Sequence, residues 1–302
     1  MASVWLNGNF VEDSAAAVSL HDAGLLHAAG VFTTLRASGR KVFRIGDHLK
    51  RLRRSCEILF IPLQYKDEGL GEVVRELLAK NGLADARIRV TVTRGMVEQD
   101  PLHGQKLRPT VFVTATAVEG YPPDYYERGM TVVVLDEQKL NPYDVQAGHK
   151  TLNYFSRLNA LREASARGAG EALWFNVHNY LESGSISNVF VVKNGVVTTP
   201  PTWVDLQEKA VAEACPYAKA AALPGITRGA VMELARKNSL ELRVGAITIN
   251  ELLEADEVFL TNSVMGVMPV CRIERHGIAE DRPGEVTRRL AELLAEEMAS
   301  DF

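Results

Sequence analysis

Lys150 sits in Gly148-His149-Lys150-Thr151-Leu152-Asn153-Tyr154. Glu182 follows thirty-two residues later in Leu181-Glu182-Ser183-Gly184-Ser185-Ile186-Ser187-Asn188-Val189-Phe190. A lysine amine condenses with a carbonyl to form a Schiff base, and once released it serves as a base. A carboxylate can hold a pyridine nitrogen protonated, so that the ring accepts electrons from an adjacent carbanion. A third segment, Leu223-Pro224-Gly225-Ile226-Thr227-Arg228, places a glycine before helical sequence. The exposed N–H groups and helix dipole there favour a phosphate dianion, and Thr227 adds a hydroxyl. Each piece alone has a plainer explanation. Most lysines are solvated surface groups, a glutamate in a turn needs no ligand, and Thr227 can serve simply as a helix cap. The combination, in this order, carries the chemistry.

The elements that must position these residues are legible in outline. Val4-Trp5-Leu6 and Phe10-Val11 flank Asn7-Gly8-Asn9 as a hairpin, and a second hairpin surrounds Ser38-Gly39. Asp47 is placed to cap a helix carrying Leu49, Leu52, Cys56 and Leu59 at helical spacing. A further helix is predicted over 71–80, ending at Asn81-Gly82. Arg87 to Thr93 and Thr110 to Ala115 have strand composition. Glu119-Gly120-Tyr121-Pro122-Pro123-Asp124 is turn-rich and serves as the linker candidate. Beyond it the pattern predicts a strand over 130–135, a helix over 153–167 with Leu158, Leu161 and Ala164 as its inner stripe, and strands at 172–176, 187–192 and 196–199. A helix after Gly225, a strand over 258–260 and a C-terminal helix over 284–298 complete the reading. The expectation is an α/β (α+β) protein with a small domain over 1–119 and a larger domain over 120–302 that carries Lys150.

Composition excludes several functions. Hydrophobic residues make up 46% and charged residues 24% of the 302, as in globular proteins, and the net charge of -4 gives no reason to expect nucleic acid or an anionic membrane. Cys56, Cys215 and Cys271 are sparse, odd in number and without a CxxC, which points to reduced thiols and a cytoplasmic home. The seven histidines form no HExxH, and no metal is expected. The N-terminus lacks a basic and apolar signal, and no apolar run has membrane-spanning length. A serine hydrolase centred on Gly184-Ser185 fails for want of a GxSxG.

Lysine, glutamate and phosphate cup together are what pyridoxal phosphate requires, and in this order they resemble the class IV aminotransferases, the fold-type IV pyridoxal phosphate enzymes. The resemblance runs from the first hairpin to about Pro269. It implies that Lys150 forms the Schiff base and then shuttles the proton at the amine-bearing carbon. Glu182, in an E-x-x-x-x-S-N-x-F pattern, is implied to face the pyridine nitrogen and raise its pKa. Gly225, Ile226 and Thr227 are implied to hold the phosphate, Leu223 to pack on the ring face, and Thr261 to supply a second phosphate-contacting loop. Arg51 lies in Asp47-His48-Leu49-Lys50-Arg51-Leu52, which resembles the family's D/E-H-x-x-R-L helix, where the arginine reaches the phosphate. Its fork suits phosphate oxygens, although helical spacing alone turns it away from the Leu49/Leu52/Cys56 stripe toward solvent. Tyr154 is a candidate neighbour of the cofactor's phenolic oxygen, with Asn153 an alternative. A homodimer is implied by the resemblance only.

The family contains transaminases for branched-chain L-amino acids, D-amino acids and R-amines, and also 4-amino-4-deoxychorismate lyase. Local features lean toward the lyase. Thr33 in Val31-Phe32-Thr33-Thr34 stands where transaminases usually carry an acid, and Lys150 to Tyr154 and Thr261 to Val270 also look lyase-like. In a lyase, the enolpyruvyl group would leave as pyruvate after Lys150 removes the proton, giving p-aminobenzoate. A transaminase would instead need a 2-oxo acid acceptor for its small-molecule amine. A homologue that binds the cofactor without turnover conflicts with the intact Lys150 and Glu182. Leu26-His27-Ala28-Ala29-Gly30 and the segment after Arg94-Gly95 depart from both patterns. The group that binds a substrate carboxylate therefore stays open, with Thr33, Arg94, His103 and Arg108 as substrate-side candidates.

Overall fold

The computed structural model describes residues 2–100, 104–135, 139–278 and 281–300, and His103 lies outside them. Two compact units emerge. One runs to Glu119 and also takes in His149–Tyr154; the other comprises Gly120–Gly148 and Phe155–Ser300. The segment bearing Lys150 thus groups with the first unit, not with the second as the sequence suggested. The cause is backbone pairing: Phe32 N–H donates to Lys150 O at 2.8 Å, Leu152 N–H donates to Gly30 O at 2.9 Å, and Val31 bridges Thr151. Such hydrogen bonds between distant segments leave no local trace in the sequence.

In the first unit, strands β1 (Ser3–Leu6), β2 (Asn9–Glu12), β3 (Gly30–Ser38), β4 (Lys41–Val42) and β5 (Ala86–Thr93) come before a separate two-stranded ribbon. The ribbon is formed by β6 (Met96–Asp100) and β7 (Gly104–Arg108), and β8 (Val111–Ala117) follows. Helices α1 (Ala23–His27), α2 (Ile45–Ile58) and α3 (Asp67–Lys80) are interspersed. The main sheet is antiparallel in the order β2-β1-β8-β5-β3-β4. Leu6 pairs with Asn9, and Asn7 and Gly8 turn the chain at φ 47° and 101°, the primed geometry that matches strand twist. Strand alternation sends Val31, Thr33, Leu35 and Ala37 of β3 into the core, beside Leu49, Leu52, Leu70, Val74 and Leu77 of the helices. Phe32, Thr34 and Arg36 point to the other face. Asp47 does not cap α2: the helix starts two residues earlier, after Arg44 in the left-handed region at φ 47°, and Asp47 lies in its first turn.

The second unit opens with α4 (Pro123–Glu127), β9 (Met130–Val134) and α5 (Phe155–Ala166), followed by β10 (Glu171–Phe175), β11 (Leu181–Gly184), β12 (Asn188–Lys193) and β13 (Val196–Thr199). Next come α6 (Lys209–Ala214), α7 (Ile226–Lys237), β14 (Leu242–Val244), α8 (Ile249–Leu253) and β15 (Glu257–Asn262). β16 (Gly266–Ile273), β17 (His276–Gly277) and α9 (Glu285–Ser300) end the chain. Nine strands form one mixed sheet in the order β11-β10-β9-β16-β15-β12-β13-β14, with β17 paired to β16. Phe190 and Phe259 are direct cross-strand partners, both fully buried, with rings stacked 4.8 Å apart. Leu158 does not belong to the inner stripe of α5. It is exposed, and the small Ala160 and Ala164 let the helix approach Ala172 and Trp174 closely instead. No helix among the described residues is long and apolar enough to cross a membrane.

Candidate active site

Lys150 is presented by an extended segment pinned to β3. Gly30 must be glycine for this, since a Cβ there would come within 2.6 Å of Leu152 Cδ1 and 2.8 Å of Val92 O. His149, beside the lysine, anchors to α2 through a 3.0 Å hydrogen bond between its Nδ1 and Ser55 Oγ. The half-buried Lys150 Nζ donates to Tyr154 Oη at 2.8 Å and lies 4.6 Å from the centre of the Phe32 ring. Phe32 and Tyr154 meet edge to face at 5.3 Å. Tyr154 therefore supplies a hydroxyl next to the amine.

Arg89 also addresses Phe32. β3 and β5 pair with Thr34 opposite Arg89 and Phe32 opposite Thr91, and directly opposed residues share a face. Arg89 Cζ sits 3.5 Å from the Phe32 ring centre, and its Nε donates to Thr91 Oγ1 at 3.0 Å. Burial and the neighbouring Arg87 push its guanidinium down to about 10, so it remains charged at neutral pH. The sequence reading did not name this arginine. Arg94 and Arg108, the candidates it named, are both exposed.

Thr33, named as a substrate-side candidate, has no solvent-exposed surface. It is fully buried on the helix face of β3, where its Oγ1 meets His48 Nδ1 at 2.8 Å and accepts from Arg51 Nη2 at 3.1 Å. Arg51 is half-buried and turned toward β3, against the solvent-facing position its helical spacing suggested. His48 and Arg51 stand three residues apart on α2 and so occupy neighbouring positions on one helix face. Burial pushes the Arg51 guanidinium down to about 10, which still leaves it cationic. Burial, with Arg51 and Lys150 nearby, holds His48 well below the ordinary histidine range.

The second unit, taken by itself, carries a buried carboxylate and an anion cup. Glu182, on β11, has no solvent exposure. Its Oε1 accepts from Asn176 Nδ2 at 2.7 Å, and its Oε2 accepts from Ala221 N–H at 3.1 Å and Ala222 N–H at 2.8 Å. Desolvation outweighs these bonds and pushes the carboxyl up to about 7. A cation facing this group would hold it ionised. The bonds to Ala221 and Ala222 also tie Glu182 to the chain that runs into Leu223.

From Leu223 the chain enters the cup. Asn188 Nδ2 donates to Leu223 O at 2.8 Å, and a Cβ on Gly225 would lie 2.0 Å from Asn188 Oδ1, so only glycine fits there. α7 begins at Ile226 without a side-chain cap, and its first N–H groups therefore point out of the helix end. Thr227 is buried, so it does not cap the helix from outside; Gly225 holds the cap position. Asn188 pairs directly with Thr261 across β12 and β15, bringing that threonine to the same sheet face. Thr261 Oγ1 is buried and has no hydrogen-bond partner among the described residues. A buried hydroxyl of this kind is costly unless a ligand uses it. With the glycine-shaped helix start beside it, the cup fits a phosphate, and Glu182 fits a protonated ring nitrogen. No cluster suited to a metal exists among the described residues.

Comparison with known proteins places these features. The family model for amino-transferase class IV matches residues 30–273. A Methanocaldococcus jannaschii protein, named provisionally as a branched-chain-amino-acid aminotransferase, is 34% identical over 96% of this chain and 94% of its own. The D-alanine aminotransferase of Bacillus licheniformis is 28% identical over 99% of this chain and 98% of its own. Among solved structures, the branched-chain aminotransferase of the thermophilic archaeon Thermoproteus uzoniensis with norvaline is 28% identical, with a TM-score of 0.85, covering 99% of this chain and 95% of that one. A Legionella pneumophila structure titled as a provisional 4-amino-4-deoxychorismate lyase shares the fold at 22% identity and a TM-score of 0.79. The small α/β unit and the larger nine-stranded unit, matched over nearly the whole chain, are those of fold type IV, and the chain belongs to the class IV aminotransferases, pyridoxal phosphate enzymes that act as transaminases or lyases.

Proposed function

We propose that this chain is a pyridoxal phosphate-dependent aminotransferase that moves the amino group of a branched-chain L-amino acid to a 2-oxo acid. The observation that carries the reading is Arg89 over the Phe32 ring, the same ring beside which Lys150 Nζ lies. An amino acid needs a carboxylate receptor within reach of the base that works on its α-carbon, and an arginine fork is the residue type suited to it. Relatives named as branched-chain-amino-acid aminotransferases support the branched-chain class. The lyase reading has fewer relatives behind it: the branched-chain and D-alanine aminotransferases outrank the lyase structure in identity.

When bound, the cofactor supplies an electrophilic carbon for amine exchange and a ring that accepts electrons. Lys150 would hold it covalently and, once displaced, move the proton at the amine-bearing carbon. Tyr154 Oη accepts a hydrogen bond from Nζ and keeps it oriented. Glu182 would keep the ring nitrogen protonated, and Leu223 would pack on the ring. The N–H groups at Gly225, Ile226 and Thr227, the Thr261 hydroxyl and Arg51 would receive the phosphate. The homodimer of the family is part of this reading, and light scattering at the monomer mass of 33.2 kDa would contradict it.

The test is initial-rate measurement with 2-oxoglutarate as acceptor and L-leucine, L-valine or D-alanine as donor. The reading expects the L-branched donors to exceed D-alanine in kcat/KM. A preference for D-alanine would assign the D-amino acid class instead. Arg89→Ala is expected to raise KM for the amino acid by at least about tenfold, the size of one lost charge-assisted hydrogen bond. A KM unchanged in Arg89→Ala would remove Arg89 from the substrate site.

A further inference from the structure

Three groups on the β3–α2 face, Arg51, Thr33 and His48, form a hydrogen-bonded chain, and the direction of its first link is fixed by chemistry. Arginine only donates, so Thr33 Oγ1 accepts from Arg51 Nη2. The single hydroxyl proton of Thr33 is then free for His48, whose Nδ1 lies 2.8 Å away. With the histidine proton on Nε2, Nδ1 accepts the threonine proton and every group in the chain is used; with it on Nδ1, the second lone pair of Thr33 would accept it and the buried threonine proton would have no partner in the chain. A doubly protonated His48 would direct a second N–H at the same oxygen and set two cations on one hydroxyl. Thr33 and His48 are 0% and 1% exposed, so water cannot substitute for either partner.

We propose that Thr33 and His48 are positioning residues that aim the Arg51 guanidinium at an anion through a one-way hydrogen-bond relay with His48 as the neutral Nε2–H tautomer. The relay orients Arg51 without adding a counter-charge, because both partners are neutral. A carboxylate in the place of Thr33 would orient the same guanidinium while competing with the anion for its charge. Packing reinforces the arrangement. Thr33 is flanked along β3 by Val31 and Leu35, and His48 along α2 by Leu49 and Leu52, all in the same buried core. Neither the strand nor the helix can rotate its polar group away without exposing apolar surface. The inference rests on the reading that Arg51 receives the cofactor phosphate.

The experiment compares equilibrium binding of pyridoxal phosphate and of pyridoxal, which lacks the phosphate, to the full-length apo-protein. Thr33→Val removes the hydroxyl at nearly constant volume. It is expected to weaken pyridoxal phosphate binding about tenfold, the usual scale for losing an orienting partner behind a ligating group, and to change pyridoxal binding less than about twofold. Thr33→Ser restores the hydroxyl and is expected to restore the affinity. Nitrogen-15 NMR of His48 in the wild type is expected to show the Nε2–H tautomer. Equal weakening of both ligands by Thr33→Val, wild-type binding by Thr33→Val, or the Nδ1–H tautomer would each overturn the relay. Arg51→Ala serves as the separate control. If it leaves pyridoxal phosphate affinity unchanged, the phosphate role of Arg51 is wrong and the relay falls with it; if it weakens binding while Thr33→Val does not, the relay alone is wrong.

Discussion

Lys150→Ala is expected to lower kcat/KM for amino transfer by at least about 10⁴-fold, since one substitution removes both the covalent attachment and the proton shuttle. The fold should be nearly indifferent to it. The segment is fixed by main-chain bonds from Phe32 and Leu152 that alanine preserves, and the side chain is half-buried with Nζ on Tyr154 Oη. Loss of that hydrogen bond costs about 1 kcal/mol. Thermal unfolding of the apo-protein and initial rates on the same preparation separate the two effects. Activity within about tenfold of the wild type would show that Lys150 does not carry the chemistry.

Glu182→Gln is expected to lower kcat by at least about 10²-fold, the scale for removing one preorganised charge partner. Unlike the lysine change, it should also disturb the fold. Both carboxylate oxygens accept hydrogen bonds, and Asn176 cannot turn its amide around to compensate, because its Oδ1 already accepts from His178 and Tyr180 N–H. One oxygen becomes a donor aimed at a donor, at a cost of about 1–3 kcal/mol. The pH dependence is distinctive. In the apo-protein the Glu182 carboxyl is raised from 4.5 to about 7, so the folded state binds its proton more tightly than the unfolded state does. Its contribution to stability is complete below pH about 4.5 and is lost as pH rises toward 7, by roughly 3 kcal/mol across the interval. Urea unfolding of the apo-protein at several pH values should show this decline in the wild type and its absence in Glu182→Gln. Parallel pH profiles for the two proteins would mean that burial does not raise the group as described.

The residues that were legible and those that were not differ in what fixes them. Lys150, Glu182 and the glycine-led cup lie in contiguous segments whose order carries the pattern. Asn7-Gly8 and Asn194-Gly195 announced their turns because both pairs adopt positive φ. The burial of Thr33 was also legible: Val31 and Leu35 flank it at strand period, which sends it to the core with them. Arg89 alternates with Ile88 and Val90 and so belongs to the opposite face. That this face carries Phe32 depends on β3 pairing with β5 across more than fifty residues, a fact no local pattern contains. Helical spacing turned Arg51 toward solvent, against its resemblance to a phosphate-binding arginine, because periodicity on α2 was judged from the apolar residues alone. His48 is as buried as they are, and it marks the face that Arg51 shares. The Lys150 segment groups with the first unit through main-chain bonds to Gly30 and Phe32, which its own residues do not announce.

The most direct test of the central claim is a single turnover of the full-length protein loaded with pyridoxal phosphate, given L-leucine and no acceptor. Amino transfer predicts one equivalent of 2-oxo acid per protomer, with the cofactor left as pyridoxamine phosphate and turnover halted until a 2-oxo acid is added. The contradicting result is an unchanged cofactor with L-leucine and with D-alanine, together with continuous release of pyruvate from aminodeoxychorismate in the absence of any acceptor.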